Sequence, residues 1–392
     1  MKQRSSSLAI VTSLVALIGF ALRTPCAQDG WGGSAHDYLN LCYSDLGPLY
    51  YVRGFADGVI PYFQDYNGGY LEYPVLIGLW AAIIAALVRN LANAGQLFVY
   101  VTWLSSLAMM VGAVWTMRPR IDRAWWVALS PALLLALGIN WDALAVLMTG
   151  LALWAWQRQR AVWAGVAIGV GTAAKLYPAL VLVPIVFSLL GDRNWRTALK
   201  TAASALGAWL VINLPVALLA PTGWWEFYRF SSTRGIDFGS PWLAAHYLWN
   251  VETSTDLANR LGMIVMAAAI AGAWALRKRV DVATIVFALV AVFALVNKVY
   301  SPQYWLWLTP LAALSAVRLR HFVVWQVAEL VYFVGIWRFL LFLTDNTAAG
   351  SVNYEQYGWI IAVHWVATAA LVGVALLRAW QASGPVSGKV QP

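Results

Sequence analysis

The chain has 392 residues, of which 61% are hydrophobic and only 11% are charged. Because soluble domains carry about 25% charged residues, this composition excludes a soluble multi-domain protein. The net charge of +9 does not indicate a nucleic-acid partner, since the basic residues form short clusters between apolar runs instead of one patch. The chain is therefore predicted to be an all-α polytopic integral membrane protein.

Thirteen apolar runs follow one another along the chain. The first run follows Lys2 and Arg4 and has no small-residue cleavage site directly after it. We therefore interpret it as a retained helix and not as a removed signal peptide. The runs are 8–22, 74–88, 96–117, 124–138, 142–156, 161–174, 176–190, 200–219, 257–276, 282–296, 304–317, 322–343 and 359–377.

Clusters of Arg and Lys in the links between runs predict which face is cytoplasmic. If the N-terminus is cytoplasmic, every cluster lies on the cytoplasmic face only when about twelve of the thirteen runs cross the membrane. The short run 74–88, which starts at Pro74, is the candidate to enter and leave on one face as a re-entrant or interfacial helix. The alternative is that it crosses fully and a later short run does not. The clusters are 118–123, 158–160, 192–200, 277–279 and 318–320.

The first loop, 23–73, is predicted to lie outside the cell and to carry the site. Its carboxylates are accompanied by several tyrosines, which can stack on a sugar and hydrogen-bond to it. Tyrosines also gather at membrane interfaces without a chemical role, but so many carboxylates among aromatic rings favour a sugar site. The charged residues from position 37 to 74 are Asp37, Asp45, Arg53, Asp57, Asp65 and Glu72.

The same loop contains both cysteines of the chain, Cys26 and Cys42. An oxidising compartment would permit a disulfide between them, which would be worth roughly 3 kcal/mol for a loop of about 15 residues. Two unpaired cysteines are the alternative. Two cysteines without a suitably spaced His do not make a metal site.

Asp45 precedes a short helix predicted from about Pro48 to Ala56, because proline suits the first helical turn. It is therefore either a general base or only a helix cap, and the spacing does not decide between them. Motifs of soluble enzymes, such as a glycine-rich phosphate loop, GxSxG or HExxH, do not occur in the sequence. If the chain is a transferase, its donor is expected to be in the membrane already.

Charged residues at the ends of apolar runs are functional candidates because burying them in a membrane is costly. Lys175, Lys298 and Arg338 would suit a lipid-linked phosphate, although snorkelling to the interface is the alternative and is favoured for Arg338. Glu329 lies deeper and is interpreted as a structural acid. None of the four histidines has metal-ligand spacing, and only His246 is kept as a site candidate, because it lies in the predicted outer loop 220–256.

In this order, the blocks SDLGPLYYVRGF, LGINWDAL, KLYP and NKVYSPQYW resemble those of glycosyltransferase family 87, from about residue 8 to 317. This family contains membrane enzymes of the C type (GT-C), including polyprenol-phosphate-mannose-dependent mannosyltransferases of mycobacteria. The resemblance implies a GT-C-like bundle, to which the basic clusters assign about twelve transmembrane helices plus one re-entrant or interfacial helix. The chain is predicted to form a single membrane domain over 1–380, followed by a disordered cytoplasmic tail, 381–392.

The resemblance also implies an inverting sugar transfer on the extracytoplasmic face, with Asp45 as the base. The donor would be a polyprenyl-phosphate sugar, with mannose favoured, and the acceptor a glycolipid or polysaccharide, with no cofactor. Asp45 is followed by Leu46 and Gly47, so the chain lacks the second acid of a DxD pair. No metal is therefore expected. The residues expected at the donor phosphate are Lys175, Lys298, Arg53 and Arg338. Those expected at the sugar or acceptor are Tyr43, Tyr62, Glu72, Tyr73, Asp142, Gln303, Tyr304 and His246.

Two other classes of function compete with this hypothesis. A transporter or flippase of a lipid-linked sugar would also have many crossings and buried charges. Transporters tend to show repeated halves with matching broken helices, and the sequence shows no such pairing. A non-catalytic scaffold of the cell envelope would not require Asp45 or Lys175. Transfer of a labelled sugar by the purified protein would separate the three classes.

Overall fold

The computed structural model describes the backbone of residues 2–383 and the side chains from Ser6 to Ser383. Within this part the chain is all-α, with eighteen α-helices and two short 3-10 helices, Thr24–Ala27 and Arg118–Arg120. The α-helices are α1 (Lys2–Ala21), α2 (Ala35–Leu39), α3 (Leu46–Val52), α4 (Val75–Val88), α5 (Ala94–Thr116), α6 (Ile121–Ala128), α7 (Pro131–Ala136), α8 (Ala143–Gln157), α9 (Ala161–Ala174), α10 (Ala179–Gly191), α11 (Trp195–Leu219), α12 (Pro221–Thr233), α13 (Pro241–Trp249), α14 (Thr255–Leu276), α15 (Val282–Val296), α16 (Tyr304–Leu314), α17 (Leu319–Thr344) and α18 (Tyr354–Ala382).

The helices form a multi-pass membrane protein. In the described part, α5, α11, α14, α17 and α18 are long and apolar enough to cross a bilayer by length and composition. Seven further apolar helices are shorter, between 10 and 17 residues. On α11, Val211 is 76% exposed and Leu219 is 73% exposed. Side chains so apolar and so exposed on a long helix are suited to face lipid.

The apolar runs correspond to helices, and the structure differs from the sequence prediction in four places. Run 124–138 is split into α6 and α7, because Ser130 caps a new helix that has Pro131 in its first turn. The predicted loop 220–256 contains α12 and α13. The predicted helix from Pro48 to Ala56 begins and ends earlier, at Leu46 and Val52. Helix α18 continues to Ala382, and residues 384–392 of the predicted tail lie outside the described residues.

The end of α1 lies beside the start of α5. Phe20 packs against Tyr100 and Trp103, and the Gln96 amide donates to the Ala27 carbonyl at 2.9 Å. Helix α4, between them in sequence, contacts the first loop at both of its ends. At its start the Tyr62 hydroxyl donates to the Pro74 carbonyl at 2.8 Å. At its end the Arg89 guanidinium lies directly against Gly58.

The first loop is an ordered cap on this end of the bundle. Cys26 and Cys42 form a disulfide. The buried Arg23 donates to the Tyr43 carbonyl at 2.7 Å and to the Leu135 carbonyl. Ser34 and Asp37 form a capping box that starts α2. These contacts fix the part of the loop that leads into Asp45.

Candidate active site

A cavity of about 800 Å³ opens between the first loop and the bundle. Its wall also includes segments near 139–140, 175–177, 227–238 and 293–307, and part of α17. Polar groups and aromatic rings line it together with aliphatic side chains. The polar, tyrosine and tryptophan residues of the lining are Tyr38, Tyr43, Asp45, Glu72, Tyr73, Asn140, Lys175, Tyr177, Ser231, Arg234, Asp237, Asn297, Ser301, Gln303, Tyr304, Trp307 and Trp337.

Asp45 stands at the N-terminal end of α3, but its side chain does not cap that helix. One carboxylate oxygen accepts from the Tyr43 hydroxyl at 2.8 Å, and the other accepts from the Asn140 amide at 2.7 Å. The Ser44 hydroxyl instead accepts from the Leu46 amide at 3.2 Å. The carboxylate is therefore held in the cavity wall and not used to end a helix, so the capping interpretation of Asp45 does not describe this structure.

The pKa of Asp45 is set by its burial and by its neighbours. Burial raises the pKa of this carboxyl, whereas the hydrogen bonds from Asn140 and Tyr43 and the nearby charge of Lys175 oppose the rise. Burial and the neighbouring Asp45 raise the pKa of Tyr43, so the Tyr43 hydroxyl keeps its proton and donates it in the hydrogen bond. A carboxylate with a raised pKa and unused lone pairs can accept a proton from a bound hydroxyl.

Lys175 is paired with a buried carboxylate. Its ammonium lies 3.3 Å from Asp142 Oδ1, which also accepts from the Trp307 indole at 2.7 Å. The other Asp142 oxygen has no hydrogen-bond partner among the described residues. The ammonium also lies 5.3 Å from the centre of the Tyr73 ring. With a single carboxylate contact, Lys175 keeps donors for a further anion.

Arg53 and Glu72 form a two-bond ion pair at the edge of the cavity. Arg53 Nε and Nη2 donate to the two Glu72 oxygens at 2.6 and 2.5 Å. Glu72 lines the cavity and Arg53 does not. Since Glu72 already neutralises the guanidinium, Arg53 serves to orient Glu72 and is poorly placed for the donor phosphate.

Two groups of aromatic rings flank the polar centre. Tyr304 stacks on Trp307 at 3.8 Å between ring centres, and Tyr177 stacks on the same indole at 4.5 Å. The ring centre of Trp337 lies 5.3 Å from that of Tyr43 and 6.3 Å from that of Tyr38. Flat rings beside hydrogen-bonding groups suit the apolar faces and hydroxyls of a sugar.

Sequence reasoning did not find Asn140, Arg234 and Asp237. Arg234 follows α12 and donates to Asp237 at 2.5 Å through Nη2, which leaves Nε and Nη1 unused in that bond. The signal was present in part, since Asn140 stands two residues before Asp142, and Arg234 lies in a predicted outer loop. Nothing in the spacing shows that either residue reaches the cavity.

Six predicted site residues do not line the cavity, and two of them, Arg53 and Asp142, are in the ion pairs described above. Tyr62 is buried, and its hydroxyl donates to the carbonyls of Tyr73 and Pro74. Lys298 points behind the wall, where its ammonium donates to the carbonyls of Ser231 and Ser232. The remaining two lie apart from the cavity wall: Arg338, and His246, which is 2.9 Å from Glu252.

One group of potential metal ligands occurs in the described residues, Cys26, His36 and Asp37. The Cys26 sulfur is in the disulfide, so it is not a thiolate ligand. Asp37 Oδ2 accepts from the amides of Gly33 and Ser34. These residues therefore hold the loop together and are not arranged as a metal site.

The model of glycosyltransferase family 87 matches residues 70–297, more than half of the chain. The chain belongs to glycosyltransferase family 87. Asn140, Lys175 and Arg234 lie inside the matched part, whereas Asp45 precedes it. The SPQY block follows it, so the match is shorter than the resemblance drawn over residues 8 to 317.

One similar solved structure is ArnT from Cupriavidus metallidurans bound to undecaprenyl phosphate. The identity is 17% and the TM-score is 0.47, over 97% of this chain and 78% of ArnT. No curated protein matches this chain. The family assignment therefore rests on the family model.

Proposed function

We propose that this glycosyltransferase moves a sugar from a polyprenyl-phosphate donor to a glycolipid or polysaccharide acceptor, with inversion, on the extracytoplasmic face. The observation that carries the proposal is the carboxylate of Asp45. It lies in the cavity wall, oriented by Tyr43 and Asn140 and free of any capping bond. This is the geometry required of a general base that meets a hydroxyl in the cavity.

The transfer is a single displacement at the anomeric carbon. An acceptor hydroxyl gives its proton to Asp45 as its oxygen bonds to that carbon. The bond from the same carbon to the phosphate oxygen breaks, and polyprenyl phosphate leaves with the electron pair. Lys175 and Arg234, the cations in the cavity wall, stabilise the phosphate charge as it develops. Resemblance to the mannosyltransferases of the family makes mannose the first sugar to test.

The apolar part of the cavity supports a lipid-linked donor. Phe227 and Phe230 of α12 line it close to Arg234, with Leu340 of α17. Helix α12 packs against α11, whose exposed residues from 206 to 219 are all apolar. A phosphate held at Arg234 would therefore have its prenyl chain beside apolar rings and close to the bilayer.

The decisive experiment is transfer by the purified protein, with radiolabelled polyprenyl-phosphate mannose and an envelope glycolipid extract. Formation of a labelled glycolipid or polysaccharide, with wild type active and Asp45→Asn inactive, is the expected result. Movement of the donor across proteoliposomes without any transfer would instead assign the chain to the flippases.

The topology can be tested by labelling introduced cysteines in intact cells. The end of α1 lies beside the start of α5, so α4 is expected to have both ends outside. Asp65→Cys and Ala92→Cys, both at exposed positions, should then react with an impermeant maleimide. Lys278→Cys should react only after lysis. Labelling at position 92 only after lysis would mean that α4 crosses the membrane.

The pH dependence of transfer should report on Asp45. Because the base form is active and burial raises the pKa, the rate should fall on acidification at a pH above the ordinary aspartate value of about 3.9. Asn140→Ala removes a hydrogen bond that lowers this pKa, so the acidic limb of kcat/KM should move to higher pH. Asn297→Ala, in the same cavity but without contact to Asp45, should leave the limb in place.

A further inference from the structure

A buried acidic residue outside the proposed reaction lies behind the cavity wall. Glu329 of α17 is 1% exposed, and its Oε1 accepts from Thr368 at 2.9 Å, Trp325 at 3.1 Å and Tyr300 at 3.2 Å. His364 Nδ1 approaches the same oxygen at 3.4 Å. Side chains from α17, α18 and one loop thus meet at one carboxyl oxygen.

Glu329 and the four side chains around its Oε1 form a buried cluster. This cluster also contacts the backbone of two loops. His364 Nε2 lies 3.4 Å from the Gly239 carbonyl. Tyr332 stacks on the His364 ring at 4.0 Å and donates to the Tyr300 carbonyl at 2.6 Å. Gly239 belongs to the loop 234–240 and Tyr300 to the loop 297–303, so both loops are attached to the same cluster.

The two loops are also bonded to each other. The Asp237 amide donates to the Lys298 carbonyl at 2.9 Å, and the Tyr300 amide donates to the Phe238 carbonyl at 3.0 Å. Gly239 has a φ of +74°, and a Cβ there would lie 2.1 Å from the Tyr332 hydroxyl and 2.2 Å from the Tyr300 carbonyl. The backbone is therefore pressed against the cluster with no room for a side chain.

We propose that Glu329 and His364 are positioning residues for the subsite that binds the phosphate of the donor. The inference rests on the proposed function, because it takes the ligand of Arg234 to be a lipid-linked phosphate. The pair fixes the loops 234–240 and 297–303 as one unit and thereby sets where Arg234 stands in the cavity wall.

A purely structural role explains the cluster less well. Burying a carboxyl and an imidazole is costly, and well-packed apolar side chains would stabilise the bundle equally or better. Polar groups in this position are useful because they bond to backbone carbonyls and to a tyrosine, which fixes the direction of the loops as well as their packing. Glu329 Oε2 has no hydrogen-bond partner among the described residues, which makes burial of this carboxyl more costly still.

The test is binding of a short-chain polyprenyl monophosphate to the purified full-length protein in nanodiscs. His364→Leu should weaken binding about tenfold, within the range of residues that act through an intermediate element. His364→Gln keeps a donor near the Nε2 position and should retain most of the affinity. Gly239→Ala should reproduce the loss from the opposite side, since its Cβ displaces the loop from the cluster.

Two controls make the result specific. Gln326→Leu changes a buried polar residue one turn earlier on α17 that bonds to Thr309 and to neither loop, so it should not alter the Kd. In Arg234→Ala, which itself weakens binding, adding His364→Leu should cause little further loss, because His364 acts through Arg234. Full additivity of the two losses would overturn the inference.

Failure of the inference is distinct from failure of the proposed function. A wild type that binds the monophosphate but transfers no sugar contradicts the proposed reaction alone. A wild type that transfers sugar, with an unchanged Kd in folded His364→Leu and Gly239→Ala, overturns the positioning role alone. If the wild type does not bind the monophosphate, the positioning role is overturned, whether or not the protein transfers sugar.

Discussion

Asp45→Asn is expected to reduce the rate of transfer at saturating donor by at least about 100-fold, the lower end of what a positioned general base contributes. The amide has nearly the shape of the carboxylate but cannot take a proton from the acceptor. Its hydrogen bonds can still be satisfied. The new oxygen accepts from Asn140, and the new NH₂ donates to the Tyr43 oxygen once that hydroxyl rotates. The affinity for the donor should therefore change little.

The same variant should be at least as stable as the wild type. Burial raises the pKa of Asp45, so the folded protein binds this proton more tightly than the unfolded chain does. The stability associated with this group is therefore fully present at low pH and is lost as the pH rises through the folded-state pKa. At neutral pH an uncharged amide avoids that loss, and the Tm in detergent should stay equal or rise.

Two matched substitutions separate a base from a general charge effect. Asp57→Asn and Asp65→Asn remove one negative charge each from exposed positions in the same loop, and both should keep near-normal transfer. Equal losses in all three variants would mean that the overall charge of the loop matters. Near-normal transfer by Asp45→Asn together with loss in Glu72→Gln would assign the base to Glu72.

The sequence predicts the helices better than it predicts the site. Long apolar runs must become helices in a membrane because every backbone group has to be hydrogen-bonded within the segment. The apolar runs do not predict α12 and α13, because α12 mixes polar and aromatic residues and α13 has only nine residues. The break between α6 and α7 had a readable signal in Ser130 and Pro131, a preferred cap followed by proline.

The contacts that define the site are long-range, which is why spacing could not supply them. Asp45 and Asn140 are 95 positions apart, and their meeting depends on how the first loop folds over the start of α8. The pairing of Lys175 with Asp142 likewise depends on how two helix ends meet. The sequence indicates both residues as candidates because charged residues at the ends of membrane segments are rare. It does not show that the two are paired.

Because Lys175 is paired with Asp142, its removal is expected to have two effects. Lys175→Ala should reduce transfer by about 100-fold or more, the usual effect of removing one group that stabilises a developing negative charge. It should also lower stability, because the carboxylate of Asp142, 1% exposed, loses its cation. Breaking a buried ion pair by removing one partner costs about 3–5 kcal/mol.

A double variant separates the two roles of Lys175. Lys175→Met with Asp142→Asn keeps the apolar stem and an oxygen for the Trp307 indole, and it removes both charges together. Because no uncompensated charge stays buried, the Tm should return close to that of the wild type. Transfer should remain about 100-fold low, since the leaving phosphate still lacks its cation. If the double variant instead recovers transfer along with stability, Lys175 acts only as the counter-ion of Asp142, and Arg234 alone must meet the charge of the phosphate.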